Sequence, residues 1–321
     1  MKNPLTLLIL LVLPTSWLFS QGNFEEKDKD RISKNRIKVQ TQWSYDYENG
    51  KPLSNGYISM VTTFDPNGNI TQIVNYKSNG KIASITVYTY DKKQNKTSYT
   101  RYKGNKEELN YNQKLIYDVQ GHKVGETGFD GSSKFMNTFL YDSSGKLKEI
   151  KYTTETVLTE KRVFKYYGNK SELNVLSPSS NIVSKEITTF DTKKNIIEEV
   201  KYVQENASQK SNYEYNQAGK KTLETKMSFG NLSYHRKYTY DRLGNLLLIT
   251  EVTPEGKAYT ASEYKYDAKG NVVEERWTKD ATSDYSRKKH KYDSKDLLLE
   301  TDSYSASYKF SVLYKYTYQT Y

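Results

Sequence analysis

The feature that most constrains this chain is a short motif that returns along nearly its whole length. It is an aromatic residue, an Asp or Asn, two variable residues, a Gly, and then Asn, Lys or His. The motif reads YDRLGN from Tyr240, FDPNGN from Phe64, YDVQGH from Tyr117, YDSSGK from Tyr141, YNQAGK from Tyr215 and YDAKGN from Tyr266, with degenerate copies at Tyr90, Phe190 and Tyr292. Turn chemistry holds these residues together. The side chain after the aromatic accepts hydrogen bonds from backbone further along the turn, and the Gly takes the left-handed conformation that a Cβ resists. Such a turn closes a β-hairpin. The flanks agree, since Tyr238 and Tyr240 fall on one face of a strand and Lys237 and Thr239 on the other. The structural turn residues are therefore Asp65, Gly68, Asp118, Gly121, Asp142, Gly145, Gly219, Asp241, Gly244, Asp267 and Gly270.

The marker aromatics are Phe64, Tyr90, Tyr117, Tyr141, Tyr166, Phe190, Tyr215, Tyr240, Tyr266, Tyr292 and Tyr316, spaced 24 to 27 residues apart. A period near 25 holds two strands and two turns. Three copies carry Gln94, Lys194 and Asp296 in place of the Gly, and looser turns are expected there. The chain holds 31 Tyr but only 4 Met and no Cys, so its apolar face is expected to be aromatic, with rings packed and hydroxyls wet.

Repeats add length without adding domains, so residues 41–321 read as one β-sheet domain. Residues 1–22 read as a bacterial signal peptide: Lys2, an apolar run from Leu5 to Leu13, then Ser20 and Gly22 near a cleavage site. Residues 23–40 mix both charges and read as a flexible leader. The mature chain is expected to be exported, periplasmic or secreted, soluble, and without a membrane span. Absence of Cys excludes a disulfide framework.

With about ten copies in register from Tyr45 to Tyr316, the chain resembles the RHS/YD-repeat family. The resemblance implies a long antiparallel sheet punctuated by tyrosine–aspartate turns. In the large members the sheet spirals into a shell around a toxin; this chain lacks their conserved core segment and often has Asn or Lys after the Gly. The expected fold is an all-β antiparallel meander of about ten hairpin repeats in a curved or spiral sheet, Tyr side inward.

Repetition also bears on chemistry. Glu149, Glu198, Glu274 and Glu300 lie eight residues after a marker, and Glu126, Glu199, Glu224 and Glu275 lie nine after it. Neighbouring strand residues face opposite ways, so pairs such as Glu198–Glu199 read as solvated Glu/Lys ladders and not as a catalytic acid and base. His122, His235 and His290 share no repeat position, and no nucleophile elbow or zinc motif occurs. No catalytic residue, cofactor or metal is expected.

The formal charge of +11 points to polyanions, with Arg287, Lys288, Lys289 and Trp277 as candidate contacts. The expected role is a non-enzymatic cell-envelope or secreted binding or scaffold protein. Its partners would be acidic envelope polysaccharide, another polyanion or an envelope protein, with no nucleic acid. The alternatives are a glycan-active enzyme and an interaction fragment related to toxin shells. A transmembrane barrel needs one apolar face, and the strand around Tyr264, with Glu263 and Lys265 on one side and Ser262 on the other, offers none.

Overall fold

A computed structural model describes residues 28–321; the signal-peptide reading of residues 1–22 lies outside them. Twenty-three strands form one sheet, and apart from the two-residue Lys51–Pro52 each pairs antiparallel with the next. The sheet also closes. Ile37–Glu48 pairs on one side with Tyr57–Phe64 and on the other with the last strand, Phe310–Thr320, in registers such as Gln42↔Tyr316 and Ser44↔Tyr314. The two-residue strand Lys51–Pro52 pairs only with Ile37–Glu48, which leaves twenty-two strands in the ring. This corrects the expected curved or spiral meander: strand twist accumulated over this many neighbours brings the first strand to the last, and pairing them removes both edges.

At ~4.8 Å per strand and the tilt usual for barrels, such a ring is roughly 40–48 Å across. No aliphatic core fills it. Among the described residues only nine hydrophobic side chains are buried, and the one buried apolar cluster, Ile32, Ile37, Phe64 and Leu297 with Ile70 and Tyr318 packed on it, sits at one rim.

Residues 28–34, which their charges read as part of a flexible leader, form a short helix docked on that rim. Ile32 drives it, 8% exposed in the cluster. Arg31 donates to Asn271 Oδ1 (2.9 Å) and lies over the Tyr292 ring, while Ser33 Oγ donates to the Pro66 carbonyl (2.9 Å). The helix therefore bridges the first repeat and the last two across the seam where the ring closes. Periodic mixing of charge hid one apolar residue that mattered.

All motif turns lie on this same rim. Each Gly amide donates to the carbonyl of the turn's first residue, as Gly244 to Asp241 (3.0 Å) and Gly68 to Asp65 (2.9 Å). The three Gly-less turns adopt the same conformation, with φ of 67° at Gln94, 68° at Lys194 and 64° at Asp296. They are therefore not looser; they carry the Cβ strain that Gly avoids.

A β-bulge follows each Asp- or Asn-bearing motif turn, but not the turn after Tyr166. Tyr215 pairs with Lys221 but Glu214 with Leu223, so residue 222 is extra; Tyr117/Lys123 and Ile116/Gly125 repeat the pattern. A bulge reverses which residues face inward, and its position seven residues after the marker recurs at residues 97, 148, 197, 247, 273 and 299.

The turn geometry generates a paired test. Gly244 has φ of 84°, so Gly244→Val should cost about 1 kcal/mol or more and lower the melting temperature. Lys194→Gly should hold or raise it. Thermal melts showing equal shifts would contradict the left-handed assignment.

Candidate functional site

Three zones can carry function: the turn rim, the inner wall and the outer wall. At the rim, the residue after the Gly completes a clasp. Asp241 Oδ1 accepts from the Asn245 backbone amide and Oδ2 from the Asn245 side chain, both 2.8 Å. Asp65–Asn69, Asp91–Asn95, Asp191–Asn195 and Asp267–Asn271 repeat this, and His122 takes the Asn place against Asp118. Hydrogen bonds from Asn245 and Asn195 hold the Asp241 and Asp191 carboxyls below the usual range. Asp142 is held low by Ser144 and the Lys146 amide. Lysines then join turn to turn: Lys93 donates to the Val119 carbonyl (3.1 Å), Lys193 to Gln217 (3.3 Å) and Lys269 to Ser294 (2.9 Å). All the turn residues read from sequence lie in this rim, where they are structural; Gly219 follows Asn216, which replaces the Asp.

The marker tyrosines have a role that sequence reading missed. Their hydroxyls donate to the backbone carbonyl six residues after the preceding marker, as Tyr240 to Lys221, Tyr215 to Ile196, Tyr266 to Leu246, Tyr141 to Lys123 and Tyr117 to Lys96, at 2.7–3.0 Å; in the last repeat Tyr318, not Tyr316, makes this bond, to Leu298. That carbonyl lies beside the bulge, where the ladder is interrupted and a donor is wanted. Burial raises the phenols of Tyr215 and Tyr266 to about 12, and those of Tyr292 and Tyr318 likewise to about 12.

The inner wall separates the two sets of glutamates. Those nine after a marker face inward. Glu224, 8% exposed, accepts from the Tyr234 and Tyr238 hydroxyls and from Lys221, each at 2.7 Å. Lys221 also lies over the Tyr238 and Tyr213 rings. Burial pushes the Glu224 carboxyl up, but Lys221 and the two phenols outweigh it and hold it below its ordinary value. Tyr213 donates to Glu199 (2.6 Å), Arg236 and Tyr259 to Glu251, and Asn137, Gln113 and Lys123 to Glu126. Glu275 is held low first by His290 and then by Lys288. Reading all these glutamates as solvated ladders was correct only for the set at plus eight. A signal existed: Lys123/Glu126 and Lys221/Glu224 are ion pairs three residues apart, which on a strand requires a bulge between them.

Outside, the glutamates at plus eight do form ladders, Glu149 with Lys161, Glu198 with Lys210, Glu274 with Lys265 and Glu300 with Lys291. From residue 58 to 140 the outer face is less charged, with Ile116, Met136 and Leu140 exposed.

The residues read as polyanion contacts divide between these faces. Arg287 and Lys289 are exposed on the outer wall, whereas Lys288 faces inward, 3.3 Å from Glu275 and over the Trp277 ring. This corrects the reading of a repeat sheet that offers Arg287, Lys288, Lys289 and Trp277 together to a polysaccharide: in a closed ring, neighbours along a strand end on opposite sides of the wall.

No family model matches the chain, and no curated protein matches it. Among solved structures, TcdB2-TccC3-TEV is similar over 82% of this chain at 10% identity and a TM-score of 0.33; the match spans 16% of that chain. A porin-like protein from Bacteroides uniformis is similar over 88% of this chain and 98% of its own, at 9% identity and a TM-score of 0.28. Another from Bacteroides vulgatus covers 89% and 99%, at 9% identity and a TM-score of 0.22. All three are too distant to carry a role or a compartment over to this chain.

The phenol shifts set an alkaline limit. Tyr215, Tyr266, Tyr292 and Tyr318 have folded values near 12 against about 10 unfolded. Their contribution is complete below pH about 10 and is lost as pH rises through the folded value. Phenolate absorbance should lag behind that of the urea-unfolded chain between pH about 10 and 12; coincident curves would contradict the burial of these phenols. Tyr266→Phe should cost about 1 kcal/mol in urea unfolding.

Proposed function

We propose that the chain is a non-enzymatic, exported β-barrel, soluble in its mature form, that acts as a scaffold enclosing a water-filled lumen for a polar guest. The observation that carries this reading is an inner wall of tyrosines, carboxylates and hydroxyls in a wide ring without an apolar core.

The inner carboxylates argue against catalysis. A glycosidic acid must be protonated and face a second carboxylate across a bond. Glu224 and Glu275 are instead held ionised by cations and hydrogen bonds, and Glu199 and Glu251 are engaged by phenols or Arg. The outer wall supports an aqueous barrel. Lipid contact requires an encircling apolar band, whereas ion pairs such as Lys161–Glu149, Lys265–Glu274 and Lys291–Glu300 stand outward.

Because the chain has no native cysteine, single substitutions report cleanly. Ser211→Cys on the inner wall should react with a small maleimide and resist one carrying a large polymer. Thr239→Cys on the outer wall should react with both. Silence of Ser211→Cys toward the small reagent would mean a filled interior and end the reading, as would purified protein that stays dispersed only in detergent.

A further inference from the structure

One sector of the inner wall differs from the rest. Tyr88, Tyr99 and Tyr111 follow one another across three strands with ring centroids 5.3 Å apart and planes at 62° and 67°, and Tyr111 continues to Phe135 at 6.1 Å. The intervening strand Lys123–Phe129 contributes Gly128, over which the Phe135 ring lies; a Cβ there would stand 2.7 Å from that ring and 2.0 Å from the Asn112 carbonyl. Only Gly lets the aromatic row pass unbroken. All four rings are half-buried and keep some surface open.

Beside this row stands a cation that the wall does not use. Arg101 shares the inward face with Tyr99 and is registered against Tyr111 and Thr86. It is exposed, in contrast to Arg236 and Arg162, which are bound to Glu251 and Glu160. Carboxylates on this face are already engaged, Glu108 by Lys103 and Glu126 by Asn137, Gln113 and Lys123. Two residues beyond Arg101 toward the rim opposite the motif turns, Lys103 enters a cleft of about 780 Å³ that Lys77 and Lys81 also line. Glu107 and Glu108 share the cleft, and Glu108 is taken by Lys103 at 3.0 Å.

We propose that this sector is a binding site for a planar aromatic anion, which enters at the lysine cleft, stacks on the Tyr88–Tyr99–Tyr111 row and gives its carboxylate or sulfonate to Arg101. The charge chooses the occupant: a neutral hydrocarbon leaves Arg101 unused, and an anion without a π face leaves the row unused. The site rests on the enclosed lumen and names the chemistry of its guest.

The test is fluorescence titration of the purified protein with pyrene-1-sulfonate. Saturable binding is expected, weakened about tenfold by Arg101→Gln and by Tyr99→Leu. Tyr99→Phe, which keeps the ring, should bind like the parent, as should Lys289→Gln on the outer wall. Neutral 1-pyrenemethanol should bind about tenfold more weakly than the sulfonate. Absence of saturable binding, equal affinity for the neutral probe, or an equal loss in Lys289→Gln would overturn the proposal. A labelled Ser211→Cys with no pyrene binding removes the site and leaves the lumen standing; a silent Ser211→Cys removes both.

Discussion

The rest of the structure depends on the hydrogen bond from a marker tyrosine to the carbonyl at the edge of its neighbour's bulge. A bulge weakens pairing where it occurs, yet here one follows every motif turn. The phenol compensates by donating where the ladder is interrupted, so each repeat completes the one before it. Phe has the same ring and propensity but no donor, and the repeat that precedes Phe190 has no bulge after its Tyr166 turn. The interaction therefore explains why the aromatic is so often Tyr, and why the repeat cannot be understood one hairpin at a time.

The same bulge distributes chemistry between two environments. It brings the residues six and nine after the marker to one face, so that Lys221 and Glu224 meet under Tyr238 instead of facing away from each other. A carboxylate in a wall of phenols is tolerable because each oxygen is satisfied; an unpaired one would carry a desolvation cost of several kcal/mol. The inner wall is thus polar with its carboxylates hydrogen-bonded, and in the aromatic sector Arg101 is exposed where Arg236 and Arg162 are ion-paired.

Much of this was legible in the sequence. The Asp-x-x-Gly pattern with a period near 25 gave the turns, the strands and their order, and alternation around Tyr240 gave the two faces. Closure was not legible, because no local signal tells twenty-two strands to meet; it depends on accumulated twist and on the seam pairing of Ser44 with Tyr314. The docking of residues 28–34 was hidden by their charge, since Ile32 alone supplies the contact that a period-based reading looks for. The division of Lys288 from Arg287 and Lys289 was implicit in their adjacency but means something only once the wall has an inside.

The seam carries a further consequence. Ile37–Glu48 is bonded to Phe310–Thr320, the pairing most distant in sequence, and until those strands meet the sheet has two bare edges. A chain emerging in order from its amino end would hold the first edge open through the synthesis or export of every later repeat. The docked helix and Asn35 just after it are tied to residues 66, 271 and 295, so their full set of partners likewise exists only after the late repeats arrive. Assembly is then a zipper whose last tooth engages its first, and the interval before that event is when this protein most needs protection from others of its kind.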